Sequence, residues 1–182
     1  MNILPKREII EEVAGIKAIS EAFIEKDWFV TQIIKIISSI NFEDFSIIFT
    51  GGTALSKAHG LILRFSEDID FRVIAPSLVD FSKTQQSKIL STFKKEIIRN
   101  LRTYFDINTA QITANNNNKF IAIEVNYPTF FTRADALRPH ILLEFNVSEL
   151  LLPVINLPVS SMVNQVAKHQ PEINTIACID PR

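Results

Sequence analysis

The sequence lacks several features that would point to whole classes of protein. It contains one cysteine, Cys178, so an internal disulfide is impossible, which fits a reducing compartment. It has no run of about 18 apolar residues, so we expect no membrane-spanning helix. Its N-terminal residues 1–8 carry charges and lack the apolar core of a signal peptide. From these absences we expect a cytoplasmic protein.

The sequence also lacks a strong excess of either charge. Its 19 Lys and Arg residues nearly balance its 20 Asp and Glu residues, which leaves a net charge of −1. This balance neither indicates nor excludes nucleic acid as a partner, because a binder of this composition would need its positive charge gathered on one face. Apolar material is plentiful: 47% of the 182 residues are hydrophobic, enough for one real core.

The apolar pattern divides the chain into a helical beginning and a mixed remainder. Residues 6–42 have helical spacing, and Asp27 is the expected N-cap of the second helix. The apolar positions of that helix follow one face of a 3.6-residue period: Val30, Ile33, Ile34 and Ile37. We predict an N-terminal helical segment over residues 1–45 and a second unit over residues 46–182.

Short strands and helices alternate in the second unit. The predicted strands are 46–50, 68–73, 107–113, 119–127, 140–147 and 174–179. The predicted helices are 54–59, 80–105 and 158–169. This order indicates an α/β or α+β fold in which helices pack on a sheet.

Three polar features stand out against this apolar background. Gly51 and Gly52 join a strand to a helix, where backbone N–H groups can approach phosphate closely. Asp68 and Asp70 alternate with apolar residues, so both carboxylates leave one side of a strand, with Cα atoms about 6–7 Å apart. Glu144 is isolated in an apolar strand, where a carboxylate is costly without a partner or a metal.

Together these features describe a site for a nucleoside triphosphate. The glycines would hold the phosphates, and the three carboxylates would hold two divalent metals, Mg²⁺ or Mn²⁺. Glu124 is a rival to Glu144 because it is also alone in a strand, and spacing does not choose between them. Lys57 and Arg64 are candidates to touch phosphate, although such residues are most often surface charges.

Two sequence blocks resemble a known family. The run from Phe49 to Gly60, followed by the run from Arg64 to Phe71, closely resembles the nucleotidyltransferase toxins of the AbiEii/AbiGii type. Tyr127-Pro128 and the segment from Leu137 to Phe145 resemble that family's later segments. The resemblance extends over residues 10–180.

The resemblance implies a polymerase-β-like nucleotidyltransferase fold: a mixed sheet flanked by helices, with N-terminal helices and a catalytic domain over residues 46–182. It implies a bacterial toxin of a toxin–antitoxin or phage-defence system. Such a toxin would transfer a nucleoside monophosphate to RNA, with transfer RNA as the expected acceptor, and would have a cognate antitoxin. The residues carried over are Gly51, Gly52, Thr53 and Lys57 for nucleotide binding, and Asp68, Asp70 and Glu144 for metal binding and catalysis.

Two further considerations accompany this hypothesis. The family continues past a segment like Ile179-Asp180-Pro181 into a helix with a basic catalytic residue, whereas this sequence ends at Arg182, so we expect weak activity or none from this chain alone.

Two alternative functions stay open. One is a non-catalytic remnant that binds nucleotide or antitoxin, and the other is an Asp-x-Asp nucleotide-sugar glycosyltransferase, which would not explain the Gly-Gly helix start.

Overall fold

The fold is built around one mixed β-sheet. The computed structural model describes residues 3–63 and 65–182, and the strands within those residues form a seven-stranded sheet in the order β3-β4-β5-β2-β1-β7-β6. The strands are β1 (Ser46–Thr50), β2 (Asp68–Ile74), β3 (Ile112–Asn115), β4 (Phe120–Asn126), β5 (His140–Val147), β6 (Val154–Val159) and β7 (Ile173–Ile179). The β2–β5 and β1–β7 pairs are parallel and the other pairs are antiparallel. This confirms the predicted α/β class.

Helices surround the sheet. Those in the described residues are α1 (Arg7–Lys17), α2 (Glu21–Ser38), α3 (Gly51–Lys57), α4 (Lys83–Arg102) and α5 (Met162–Val166), with 3₁₀ helices at Pro76–Asp80 and Thr109–Gln111. A capping box at Ser82 and Gln85 satisfies the free N–H groups that begin α4. The β3–β4 turn uses three consecutive asparagines with positive φ, as expected from their tolerance of left-handed backbone.

The two faces of the sheet differ in burial. On central strand β2, Ile69, Phe71 and Val73 are buried and form part of what we call the closed face. Helices α2 and α4 share one apolar core with this face, to which they contribute Phe29, Val30, Ile33, Phe93, Ile97 and Leu101. The opposite side of β2 carries Asp68 and Asp70, which are partly exposed, and we call it the open face.

The N-terminal helices differ from the sequence prediction. Helix α2 begins at Glu21, after Ser20, so the prediction that Asp27 caps it is wrong. Asp27 lies inside the helix and is 4% exposed. It is tolerated there because its carboxylate forms an ion pair with Lys57 at 2.5 Å and accepts a hydrogen bond from the Met162 backbone N–H at 2.7 Å. The division at residue 45 stays a prediction.

Other element predictions needed adjustment. Helix α3 begins at Gly51, three positions before the predicted start, and strand β3 is preceded by the 3₁₀ helix Thr109–Gln111. The predicted helix over 158–169 is wrong in its first part, because strand β6 includes Pro158. Proline is accepted there because β6 lies at the edge of the sheet, where one side of the strand needs no N–H donor.

Among residues 3–63 and 65–182, no helix combines the length and apolar character needed to cross a bilayer.

Candidate nucleotidyl-transfer site

The glycine turn between β1 and α3 touches the second aspartate of β2. Thr50 pairs with Asp70 across the two strands, and Gly51 follows with φ of +73°. A Cβ atom added to Gly51 would lie 2.0 Å from Oδ2 of Asp70, which is far inside contact distance. The position therefore requires glycine for two reasons: its backbone is left-handed, and the Asp70 carboxylate fills the space of a side chain.

Two threonine hydroxyls fix this turn against β2. The Thr53 hydroxyl donates to the backbone carbonyl of Asp68, and the Thr50 hydroxyl donates to that of Asp70 at 3.4 Å. Thr53 is completely buried, so its side chain positions Asp68 rather than reaching a ligand. In the glycine turn Gly51 is exposed and Gly52 is partly exposed.

Asp70 and Glu144 face each other on neighbouring parallel strands. They are direct partners in the β2–β5 register, and their carboxyl groups hydrogen-bond to each other. Burial, followed by repulsion from Asp68, raises the pKa of Asp70. Burial, repulsion from Asp70 and the shared hydrogen bond raise the pKa of Glu144. The pair therefore retains a proton more strongly than two separate carboxylates would.

Asp68 lies beside this pair but has its own cation. Its Oδ1 accepts a hydrogen bond from the Arg138 guanidinium at 2.8 Å, and the Arg138 side chain is 48% exposed. The backbone of Arg138 is fixed as well: its N–H donates to Glu67 at 3.0 Å, and its carbonyl accepts from Lys26 at 2.9 Å. We refer to Asp68, Asp70 and Glu144 together as the carboxylate row.

A buried lysine anchors the Asp68 end of the row. The Lys26 side chain has no exposure, and its ammonium group donates to the Glu67 carboxylate. Burial lowers the pKa of Lys26, and the contact with Glu67 opposes that shift. The preceding residue, Glu25, accepts from the Phe130 backbone at 2.8 Å and from the Thr129 hydroxyl. Helix α2 thus ties down the segment before β5 that carries Arg138.

The remaining predicted residues lie elsewhere. The Lys57 side chain is 8% exposed and its ammonium is paired with Asp27, which favours a structural role over phosphate binding. Glu124 lies on β4 opposite Leu142, and its carboxylate is 3.4 Å from Nδ1 of His140 rather than beside Asp70. Arg64 lies outside the described residues.

The residues of the row suit a hard divalent cation in their chemistry. Two facing carboxylates that raise each other's pKa gain charge compensation from a metal ion, and oxygen donors are those that Mg²⁺ and Mn²⁺ prefer. In the arrangement found here Asp68 is engaged with Arg138. Across the described part of the chain, no three His, Cys, Asp or Glu side chains are grouped as a metal site. Metal binding by the row stays a prediction.

A cavity of about 270 Å³ adjoins the Asp70 end of the row. Gly51, Asp70 and Glu144 line one side of it, and its walls also include Arg72, Phe120 and Asn146, which sequence analysis did not assign to the site. The alternation of β2 placed Arg72 on the face of the aspartates, but nothing in the sequence aligned β4 and β5 beside it. A larger cavity of about 420 Å³ lies beyond the C-terminal ends of β2 and β5, and apolar side chains form most of its wall.

Comparisons with known proteins identify the family of the chain. No curated protein matches the chain. The family model described as nucleotidyl transferase AbiEii toxin, type IV toxin–antitoxin system, matches residues 36–180, which is well over half of the sequence. The match spans the glycine turn, both aspartates and Glu144. The chain therefore belongs to the AbiEii nucleotidyl transferase toxin family.

Proposed function

We propose that this chain transfers a nucleoside monophosphate from a nucleoside triphosphate to RNA, with transfer RNA as the expected acceptor. One observation carries the proposal: Asp70 and Glu144 face each other across β2 and β5 directly beside the glycine turn, in a chain of a nucleotidyl transferase family. In the reaction an acceptor hydroxyl oxygen bonds to the α-phosphorus. The bond from that phosphorus to the bridging oxygen breaks, and pyrophosphate leaves.

The carboxylate row supplies the negative oxygens of the site. Asp68, Asp70 and Glu144 would hold Mg²⁺ or Mn²⁺, as the family hypothesis requires. A bound divalent cation neutralises charge on the transferring phosphoryl group and makes the attacking hydroxyl more acidic. Once ionised, the Asp70 and Glu144 carboxylates can accept the proton that the acceptor hydroxyl loses.

The glycine turn and the cation at Asp68 form the phosphate side of the site. Gly51 and Gly52 have no side chains, so their backbone N–H groups are open to a triphosphate. Thr53 keeps the turn against β2 through its bond to Asp68. Arg138 is half-exposed, so its guanidinium is free to turn from Asp68 to a phosphate oxygen. Lys57 is assigned a structural role because Asp27 already neutralises it.

The family also suggests a biological setting. Membership of a type IV toxin–antitoxin family supports a toxin with a cognate antitoxin, acting in phage defence. The match to a nucleotidyl transferase family gives no support to the alternative, a nucleotide-sugar glycosyltransferase. A non-catalytic remnant would keep nucleotide binding without transfer, so a transfer assay separates it from the proposed enzyme.

The proposal can be tested by following labelled phosphate. The chain is incubated with Mg²⁺, total RNA and each nucleoside triphosphate labelled in turn at the α-phosphorus. We expect label in RNA from at least one nucleotide, at the low rate expected of this chain alone, and none from the same nucleotide labelled at the γ-phosphorus. Asp70→Asn should lower transfer by about 10²-fold or more, because charge compensation at the transferring group is lost.

Asp80→Asn provides the matched control. Asp80 is an exposed carboxylate at the end of the 3₁₀ helix Pro76–Asp80, which is a different element from the strands that carry the row. Its variant should transfer label at the wild-type rate. Absence of α-label transfer by the folded wild-type chain would contradict the enzyme, and wild-type transfer by Asp70→Asn would contradict the site.

A further inference from the structure

We propose that the cavity beside the Asp70 end of the carboxylate row is a subsite for one nucleotide of the RNA acceptor, formed by Arg72, Phe120 and Asn146. The inference rests on the proposed function, since it assigns the second substrate of that reaction. It depends on a separate observation: three recognition groups meet on the open face with no partner in the described part of the chain.

The three residues form a straight row across adjacent strands. Asn146 of β5 lies opposite Arg72 of β2 on one side and opposite Phe120 of β4 on the other. Directly opposite residues in a sheet share a face, and neighbouring strands are about 4.8 Å apart. Two positions nearer the N-terminal ends of β2 and β5, the next row on this face contains Asp70, Glu144 and Ala122. The small Ala122 side chain leaves space beside Glu144.

None of these three side chains is used to hold the fold together. Among residues 3–63 and 65–182, Arg72 makes no ion pair, the Phe120 ring has no aromatic partner, and the Asn146 amide makes no side-chain hydrogen bond. Arg72 and Phe120 are partly exposed and Asn146 is exposed. Arg138, unlike Arg72, is paired with a carboxylate, that of Asp68.

The combination of groups suits a nucleotide. A guanidinium group binds a phosphate, an open aromatic ring stacks on a base, and an amide both donates to and accepts from a base edge. A single arginine matches the single phosphate of a nucleotide within a strand, rather than the several charges of a triphosphate.

The position of the cavity relative to the glycine turn assigns its nucleotide to the RNA acceptor. Helix α3 meets β2 along Asp68 and Asp70, through Thr53 and Gly51. Arg72 lies one step further, opposite Ile48 of β1. The proposed function places the triphosphate at the glycine turn, which leaves the Arg72 end for the strand that carries the attacking hydroxyl. Both substrates would then meet at Asp70 and Glu144.

The test measures two affinities for the full chain and its variants. The RNA probe is a mixed-sequence single-stranded RNA octamer with a 5′-fluorescein, followed by fluorescence anisotropy. The nucleotide probe is each of the four nucleoside triphosphates with Mg²⁺, followed by calorimetry. Arg72→Gln, Phe120→Leu and Asn146→Ala should each weaken RNA binding, by about tenfold for Phe120→Leu, and leave triphosphate affinity unchanged.

Salt dependence separates a phosphate contact from a general structural effect. Arg72→Gln should reduce the slope of log K against log salt by about 0.7, because one contact to single-stranded phosphate is lost. Arg72→Lys should restore that slope. Phe120→Leu should lower affinity without changing the slope, and Phe120→Trp should recover the affinity. Arg99→Gln, an exposed arginine on α4, is the control and should change neither affinity.

Each way in which the proposal could fail gives a different pattern of RNA and triphosphate affinities. Variants that weaken triphosphate binding but not RNA binding would overturn the proposal and make the cavity the site of the incoming base. Variants that change neither affinity would overturn it as a nucleotide site. If the wild-type chain transfers no nucleotide while RNA affinity and salt slope still respond as described, the proposed function fails and the RNA subsite is supported.

Discussion

The two ends of the carboxylate row differ in how their charges are balanced. At the Asp68 end each carboxylate has a cation: Arg138 pairs with Asp68, and the buried Lys26 pairs with Glu67. At the other end Asp70 and Glu144 face each other and the pKa of each is raised, and Arg72 of β2 makes no ion pair within the described residues.

This difference separates the groups that hold the fold from those that are left for ligands. The Asp68 end joins α2, the start of β2 and the segment before β5 through charged hydrogen bonds. At the Asp70 end no salt bridge neutralises Asp70 or Glu144 within the described residues, so a cation gains more by arriving there. We therefore expect substitutions of Lys26 and Glu67, which support the Asp68 end, to affect stability, and those at the Asp70 end to affect chemistry.

Gly51→Ala is the substitution that should damage the Asp70 end most. The new Cβ would lie 2.0 Å from Oδ2 of Asp70, so the carboxylate must leave its position beside Glu144. We expect nucleotide transfer to fall by about 10²-fold, with an added cost of about 1–2 kcal/mol in unfolding free energy from the left-handed backbone. Transfer kinetics and urea denaturation measure the two effects.

Gly60→Ala is the matched control for backbone strain. Gly60 also has a positive φ, +64°, but nothing lies within 4 Å of an added Cβ. It should show a similar loss of stability and full transfer activity. If both alanine variants lose activity equally, the contact between Gly51 and Asp70 is not what matters.

Lys26→Met should lower the stability of the fold by disrupting the ionic contacts at the Asp68 end. The substitution leaves Glu67 without its buried cation and removes the donor to the Arg138 carbonyl. We expect a loss of about 3 kcal/mol in unfolding free energy, because breaking one partner of a buried pair leaves an uncompensated charge. The double variant Lys26→Met/Glu67→Gln should recover part of that loss, and chemical denaturation measures both.

Lys35→Met is the control on the same helix. Lys35 is partly exposed in the last turn of α2 and takes part in no salt bridge in the described ranges. Its variant should unfold within about 0.5 kcal/mol of the wild-type protein. A Lys26→Met protein that is equally stable would show that the ionic network at the Asp68 end does not support the fold.

Much of this arrangement could be predicted from the sequence. The strict alternation of β2 places Asp68 and Asp70 on one face, and the structure has them there because the apolar partners enter the core. The bounds of β1 and β5 also match their predictions, Ser46–Thr50 and His140–Val147. Short-range periodicity decides such features, so one sequence is enough to find them.

Long-range pairing could not be predicted in the same way. The register that places Glu144 rather than Glu124 opposite Asp70 depends on which strands are neighbours, and spacing along the chain does not contain that information. Arg138 and Lys26 were missed for the same reason, since 112 positions separate the lysine from its carbonyl acceptor. A clue was present in Glu25-Lys26-Asp27, three charges within a helix that is otherwise rich in buried apolar residues.

The most direct measurement is Mn²⁺ binding to the chain in the presence of a non-hydrolysable nucleoside triphosphate, followed by electron paramagnetic resonance. The account predicts that Asp70→Asn and Glu144→Gln each weaken Mn²⁺ binding by about tenfold or more, because each removes a charged oxygen ligand. Glu124→Gln, whose carboxylate neighbours His140, should bind Mn²⁺ like the wild-type protein. Loss of Mn²⁺ in Glu124→Gln, with retention in Glu144→Gln or Asp70→Asn, would contradict the carboxylate row as the metal site.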